Sequence, residues 1–351
     1  MTGPDETVLS RVEGVLVRFL DERVLALRGL GSDLDPVADE ARAFVLDGGK
    51  RLRPRFAYWG WRAAAPHSAD DTALIGTAAS LELLHAGALV HDDVVDASAT
   101  RRGRPASHTT FARQHREAGW GGVDASFGAA AAILLGDLLL SWSDALFAAA
   151  HAGAAARAVY DRMREQVMAG QYLDVLVSAR GAFSVDEALR VIELKTSKYT
   201  VEGPLHLGAA VAGARPETLV ALRRYGLAVG EAFQLRDDVL GVFGDPSVTG
   251  KPAGDDLREG KHTLLTAYAM QTAGPEQAEQ LRRDLGDRDL DADQLAQLRR
   301  VVVGTGALDR VEARIADQAQ AARQALDTDA VAPAARVALA ALVDAATRRA
   351  H

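Results

Sequence analysis

Two aspartate-rich segments lie far apart in the sequence, and a basic cluster follows each. The first reads His91-Asp92-Asp93-Val94-Val95-Asp96 and is followed by Arg101-Arg102-Gly103-Arg104. The second reads Gln234-Leu235-Arg236-Asp237-Asp238, with Gly250-Lys251 and Gly260-Lys261 beyond it. Carboxylates bunched in apolar sequence repel one another, and burying them uncompensated is costly. A hard cation such as Mg²⁺ removes that cost. It usually completes its coordination with substrate phosphates, which neighbouring Arg and Lys also hold. The pattern points to a metal-bridged diphosphate site. A third element, Gly48-Gly49-Lys50-Arg51-Leu52-Arg53-Pro54, sets Lys50 and Arg53 at a helix start, where anions are already favoured. Together with Arg101 and Arg102, the chain carries two acidic patches and three cationic ones, enough for two diphosphates.

These residues need elements to hold them. Apolar residues recur at three- and four-residue spacing through most of the chain, and no convincing run of alternation occurs. The spacing predicts helices over about residues 5–28, 34–47, 51–64, 70–96, 123–150, 155–180, 185–202, 204–213, 216–241, 260–273 and most of 276–349. On the helix through 70–96, His85, Asp92 and Asp96 fall within a narrow arc, with Leu81 and Ala88 on the same side. Carboxylates at a helix C-terminus oppose its dipole, so this placement costs something without a cation. Gln234, Asp237 and Asp238 share a face in the same way. The C-terminal third is charged and amphipathic, and packing rather than chemistry is expected of it.

The bulk numbers narrow the class. The chain has 351 residues and a formal net charge of −8, which argues against a general nucleic-acid binder. It has no cysteine, so disulfides, thiolate nucleophiles and Cys-ligated zinc are excluded. The start lacks the pattern of a secretory signal. The longest apolar tract carries Asp137 and Asp144, which fits a buried helix better than a membrane span. A cytoplasmic protein with no membrane span is expected. His91-Asp92 as the pair of a metal phosphohydrolase is set aside, because the remaining histidines are scattered.

With these residues in view, the sequence closely resembles the trans-isoprenyl diphosphate synthases, or polyprenyl synthetases. GGKRLRP, LLHAGALVHDDVVD with RRGRP, LKTSKYT, and FQLRDDVLGVFGDPSVTGK carry the resemblance, which spans about residues 40–270. It implies an all-α isoprenoid-synthase fold, a single domain over 1–351 built as a helical bundle around a deep central cavity, with C-terminal helices over 276–349. It also implies a homodimer, and three Mg²⁺ per active site once substrate is bound. By position, Asp92 and Asp96 resemble the first motif's metal ligands, with Asp93 nearby, and Asp237 resembles the ligand of a further Mg²⁺. Arg101 matches the residue gripping the allylic diphosphate, and Lys50, Arg53, His85 and Arg102 match the isopentenyl diphosphate site. Lys195, Gln234, Lys251 and Lys261 match positions around the allylic diphosphate, and Thr196 with Gln234 sits where a carbocation would pass. Gln171 and Asp174 fit the pattern as well. The family's second motif is DDxxD; position 241 here is Gly, so its third carboxylate is absent.

The implied reaction is Mg²⁺-dependent condensation of isopentenyl diphosphate with an allylic diphosphate. Ionisation of the allylic C–O bond would be favoured by Mg²⁺ with Arg101, Lys195 and Lys251 stabilising the departing diphosphate. Three alternatives stay open: a synthase of longer polyprenyl chains, a non-catalytic partner subunit, and a terpene cyclase of the same fold. Retention of Lys50, Arg53, His85 and Arg102 argues against the cyclase, and the intact Asp92–Asp96 segment argues for activity. One helical turn and one extended isoprene unit are both about 5 Å long, so each turn below Asp92 accommodates about one more unit. Ala88, one turn down, is too small to stop a chain; Gly87 is also small, and the resemblance implies that its position influences the floor, for which Leu84 and Leu81 or bulky residues of the 123–150 helix are the next candidates. The expected product is C20, geranylgeranyl diphosphate, which Gly87→Phe or Ala88→Phe would shorten.

Overall fold

Helix follows helix from α1 (Pro4–Arg28) onward. The computed structural model describes residues 4–68, 70–181, 183–245 and 254–347. After α1 come α2 (Asp35–Leu46), α3 (Leu52–Ala64), α4 (Thr72–Val95), the two-residue strands β1 (Thr100–Arg101) and β2 (Arg104–Pro105), α5 (Ser107–Glu117) and α6 (Asp124–Ala149). Then follow α7 (Gly153–Arg180), α8 (Val185–Val191), a π-helical segment (Ile192–Glu202), α9 (Gly203–Val211) and α10 (Pro216–Phe243). The chain ends through α11 (Asp255–Arg258), α12 (Leu264–Thr272), α13 (Pro275–Asp284), α14 (Ala292–Gly304), α15 (Ala307–Ala325) and α16 (Pro333–Thr347). The all-α class read from the sequence holds.

Three details differ from the sequence reading. Helix α5 was not anticipated: its sequence, SHTTFARQHRE, is polar, and only Ser107, Phe111, Ala112 and His115 of it are buried. The Thr100–Pro105 hairpin was missed because two residues per strand are too few to show alternation. The helix expected over 185–202 changes to π geometry at Ile192.

The chain divides into two compact units. One comprises Met1–Tyr58 with His67–Ala155, the other Trp59–Pro66 with Ala156–His351. In the first, α4 is apolar nearly all round and packs against α1 and α6, so Leu74, Leu81, Leu83 and Leu84 are fully enclosed along with Leu16, Leu20, Leu135 and Leu139. In the second, α10 is the central helix. It packs on the π segment, α9, α15 and α16, and its buried residues include Leu235, Val239 and Val242. The C-terminal helices also hold α10 through polar bonds. The Arg236 guanidinium forks onto Glu312 at 2.7 and 2.8 Å and donates through Nε to Thr347 O at 2.9 Å, while Tyr225 Oη donates to Leu339 O at 2.8 Å. Both α4 and α6 are long and apolar enough by composition to cross a membrane; α4 is mostly buried within its unit, whereas α6 leaves Ile133 and Leu134 exposed.

Candidate active site

In the first unit, the C-terminal end of α4 carries Asp92 and Asp93, and Asp96 caps it, its N–H donating to Asp92 O at 2.8 Å. Asp92 and Asp96 lie one turn apart. Asp93 points inward, is almost wholly buried, and accepts from Arg101 through Nε at 2.8 Å and through Nη2. Burial raises the Asp93 carboxyl above the usual carboxylate range, and the Arg101 bonds oppose that shift. Arg101 Nη2 also lies 3.7 Å from Asp92 Oδ2. The three acidic residues are thereby sorted: one anchors Arg101, and two stand at the helix end with hard oxygen donors.

Arg101 is placed by the hairpin. Arg101 pairs with Arg104, and the two loop residues between them, Arg102 (φ 54°) and Gly103 (φ 74°), are both left-handed, the geometry of a type I′ turn. A left-handed Arg costs about 1 kcal/mol. The bond from Arg102 Nη1 to Gly48 O at 3.1 Å and the Arg104–Asp47 ion pair offset that cost and tie the hairpin to the Gly48-Gly49-Lys50-Arg51 loop. Arg51 is itself left-handed (φ 47°) and buried, and its guanidinium reaches Glu82 Oε2 of α4 at 2.7 Å and Val45 O at 2.9 Å. Sequence reasoning gave Arg51 no part; it is the anchor of this loop. Lys50 is exposed on the loop, and Arg53 is buried at the start of α3.

His85 is half-buried on α4. Burial holds its imidazole well below the usual histidine range, and the charges of Arg53, Arg102, Arg101 and Arg51 push the same way. Of these four arginines, Arg51 and Arg101 are paired with Glu82 and Asp93. The first unit brings Arg53, Arg101, Arg102 and Arg51 within electrostatic reach of His85; the sequence reading divides them, with Arg53, His85 and Arg102 set beside Lys50 and Arg101 assigned to the other diphosphate. Ala88, one turn below Asp92, is half-buried, and Leu84 and Leu81, two and about three turns below, are buried. Gly87 lies in the α4–α6 contact, where a Cβ would meet Gly136 O and Leu140 Cγ and Cδ2 at 3.0 Å each.

In the second unit, α7, the π segment and α10 converge. Lys195 Nζ donates to Asp174 Oδ2 of α7 at 2.7 Å, and Gln171 lies one turn before Asp174. Thr196 Oγ1 donates to Gln234 Oε1 at 2.6 Å, and Gln234 Nε2 donates to Asp238 Oδ1 at 2.8 Å. Asp238 is buried and pushed up to about 8, chiefly by burial; the Gln234 bond and Lys261 oppose this, and Asp256 and Asp237 add repulsion. Lys261 Nζ sits 2.9 Å from Asp256 Oδ1 and 2.8 Å from Glu259 Oε2. Burial disfavours the Lys261 charge, yet those two carboxylates outweigh it and leave the ammonium above the usual lysine range. Lys251 lies outside the described residues. Asp256 was not picked out from the sequence; its only signal was its place between Gly254 and Gly260.

The π turn has a local cause. Wider than an α-helix, it buries the polar run Thr196–Glu202, and glycines make space for it. A Cβ on Gly230 of α10 would fall on the backbone and side chain of Ser197, and one on Gly170 of α7 would lie 2.7 Å from Lys195 N. π turns recur at functional sites because they re-aim side chains.

Could these carboxylates hold Mg²⁺? Among the described residues, no three His, Asp or Glu side chains converge on one point. Mg²⁺ takes one or two carboxylates and fills its shell with water and phosphate oxygens. Asp92 with Asp96, and Asp237, meet that requirement for an ion arriving with a diphosphate.

Comparison with known proteins accords with this chemistry. The sequence model of the family described as polyprenyl synthetase matches residues 36–302. A geranylfarnesyl diphosphate synthase from Aeropyrum pernix is 34% identical over 302 residues, covering 83% of this chain and 87% of that one. A (2E,6E)-farnesyl diphosphate synthase from Mycobacterium tuberculosis is 35% identical over 262 residues, covering 72% of this chain and 67% of that one. The crystal structure of a geranylgeranyl pyrophosphate synthase from Corynebacterium glutamicum, complexed with isoprenyl diphosphate and magnesium, superposes with a TM-score of 0.92 at 39% identity, covering 97% of this chain and 98% of that one. With two acid-bearing helices, an arginine cluster around a neutral histidine, and a family match through both units, the chain belongs to the polyprenyl synthetase family and is a prenyltransferase with the all-α isoprenoid-synthase fold.

Proposed function

We propose that this trans-prenyl diphosphate synthase condenses isopentenyl diphosphate with an allylic diphosphate to give geranylgeranyl diphosphate, acting as one polyprenyl synthetase domain. The observation that carries the two-substrate reading is His85, held neutral with Arg53 and Arg102 near it, while Arg51 and Arg101 are already paired with Glu82 and Asp93. Lys50, Arg53, His85 and Arg102 would hold the isopentenyl diphosphate; a terpene cyclase needs no such second group.

Asp92, Asp96 and Asp237 would be the Mg²⁺ ligands, and the metal would supply neutralisation of the departing diphosphate's charge. Arg101, Lys195, Lys251 and Lys261 would orient that diphosphate as the allylic C–O bond breaks. Thr196 and Gln234, locked to each other and to Asp238, present fixed dipoles where the allylic cation develops. Gln171 with Asp174 would steady Lys195. The double bond of isopentenyl diphosphate attacks the cation, and loss of a proton gives the longer allylic diphosphate.

Product length rests on α4. Ala88, one turn below Asp92, is small and half-buried, while Leu84 and Leu81 are large and enclosed one and two turns further down. Because a side chain at Gly87 would press on α6, Ala88→Phe is the cleaner test. Relatives named for farnesyl, geranylgeranyl and geranylfarnesyl products show that length varies within the family. We further propose a homodimer formed through the exposed apolar residues of α6, and a cytoplasmic location. Chromatography of the products from each allylic primer tests the reading: geranylgeranyl diphosphate is expected, with shorter products from Ala88→Phe. Farnesyl diphosphate as the wild-type end product would contradict it.

A further inference from the structure

His91 stands directly before Asp92 on α4, and no step of the reaction uses it. Its imidazole crosses to α6, the helix packed beside α4 in the same unit. There Nε2 lies 3.0 Å from Ile133 O. A carbonyl only accepts, so Nε2 carries a hydrogen and donates it. Asp137 Oδ1, on an exposed side chain, lies 3.6 Å from the same nitrogen. The ring occupies a notch at Gly136. A Cβ there would fall 2.1 Å from Nε2 and 2.2 Å from Cδ2, so only glycine admits the ring in this position. Gly87, one turn before His91, presses on the same place, since a Cβ on it would lie 3.0 Å from Gly136 O. The two helices thus meet nearly backbone to backbone at Gly87 and Gly136, and the His91 ring closes over that contact.

We propose that His91 is a positioning residue, and that its bond to Ile133 O sets the rotation of the last turn of α4 for metal binding by Asp92 and Asp96. That turn needs holding. Its carboxylates repel one another and oppose the helix dipole, and helix ends fray. Mg²⁺ demands near-ideal octahedral geometry, so a small rotation of its donors costs affinity. Asp93 is fastened by Arg101 of the hairpin, and His91 is fastened by α6, with Asp92 between them in the chain. Residues two apart project about 200° apart around a helix, so the turn is gripped from nearly opposite sides. His91 acts through the backbone of that turn. A histidine beside an aspartate reads as a ligand pair in sequence, but the ring's turn toward α6 gives it a different task.

The inference rests on the prenyltransferase reading, and the experiment separates the two. Wild type, His91→Gln, His91→Leu, Gly136→Ala and the double variant Gly136→Ala/His91→Ala are compared. Three quantities are read: the melting temperature without ligand, the Mg²⁺ concentration giving half of the thermal shift with inorganic pyrophosphate, and kcat against KM. His91→Gln keeps an N–H that can reach Ile133 O and should stay close to wild type. His91→Leu fills the notch without a donor. Its half-shift Mg²⁺ concentration should rise about fivefold, the effect of losing one neutral hydrogen bond. Its kcat should fall and recover in excess Mg²⁺, while KM for isopentenyl diphosphate stays at the wild-type value. Gly136→Ala should melt lower, because its Cβ collides with the ring. Removing the ring in the double variant should restore the melting temperature lost to that collision, yet leave the Mg²⁺ requirement raised. A wild-type Mg²⁺ requirement in His91→Leu, or a His91→Gln no better than His91→Leu, would overturn the inference while wild-type elongation leaves the functional reading standing. Wild type giving neither shift nor elongation would overturn both.

Discussion

Arg53 and Arg101 are placed by different elements, Arg53 by α3 and Arg101 by the hairpin. Arg101 is bound to Asp93 beside the first acidic motif, whereas Arg53 lies buried near His85. Arg53→Ala should therefore raise KM for isopentenyl diphosphate by about tenfold or more, since a hydrogen bond to a charged group contributes about 1.5–3 kcal/mol. Arg101→Ala should damage the allylic side more; equal effects of both variants on both substrates in steady-state kinetics would show the assignment to be wrong. His85 makes a second prediction. Its folded pKa is depressed, so below the unfolded value of about 6.5 the unfolded chain binds a proton that the folded one refuses. Its contribution to stability is complete above that pH and is lost as pH falls. The melting temperature of His85→Gln should fall less steeply than that of wild type between about pH 6.5 and 5; parallel curves would contradict the neutral state. The grouping of Asp92 and Asp96 with Arg101 and Arg102 was legible in the sequence because acid and base are clustered by type there. Arg51 and Glu82 were not, since their roles arise from a partner far along the chain: Arg51 bonds Glu82.

The elements place the chemistry by close approach. Gly230 lets the π segment lie against α10, and Thr196, adjacent to the contacted Ser197, bonds Gln234 from there. Gly230→Ala must push the segment outward, an overpacking cost of about 1–3 kcal/mol. Calorimetry should show a lower melting temperature, and kcat should drop further than KM rises, because the Thr196–Gln234 bond is what moves. A variant with wild-type kcat would mean that the π geometry serves packing alone. Helices with a broad apolar face, such as α4 and α10, could be read from their spacing. The change to π geometry could not, because LKTSKYT has ordinary helical spacing and the close approach that accommodates the segment comes from glycines on α7 and α10. Polar α5 escaped for the opposite reason: it buries only a narrow stripe, which the flanking charges conceal.

For the whole molecule, the all-α class followed from the absence of alternation and the punctuation between helices. The exposed apolar face of α6 could not be foreseen, since composition alone made that helix look buried. Ile133 is 46% and Leu134 68% exposed, beside one another in a helix whose most apolar stretch is only one-third buried. The proposed homodimer would cover these two side chains. Ile133→Asp/Leu134→Asp should shift a dimer to monomer in analytical ultracentrifugation without unfolding the chain; a wild-type monomer would contradict the proposal. The central claim is that this chain by itself elongates an allylic diphosphate. Purified protein, given Mg²⁺, an allylic diphosphate and radiolabelled isopentenyl diphosphate, is predicted to incorporate label into longer prenyl diphosphates. Asp92→Ala should lower the rate by orders of magnitude with an unchanged circular dichroism spectrum, and chelating the metal should abolish incorporation. Incorporation by wild type no greater than by Asp92→Ala would contradict the account.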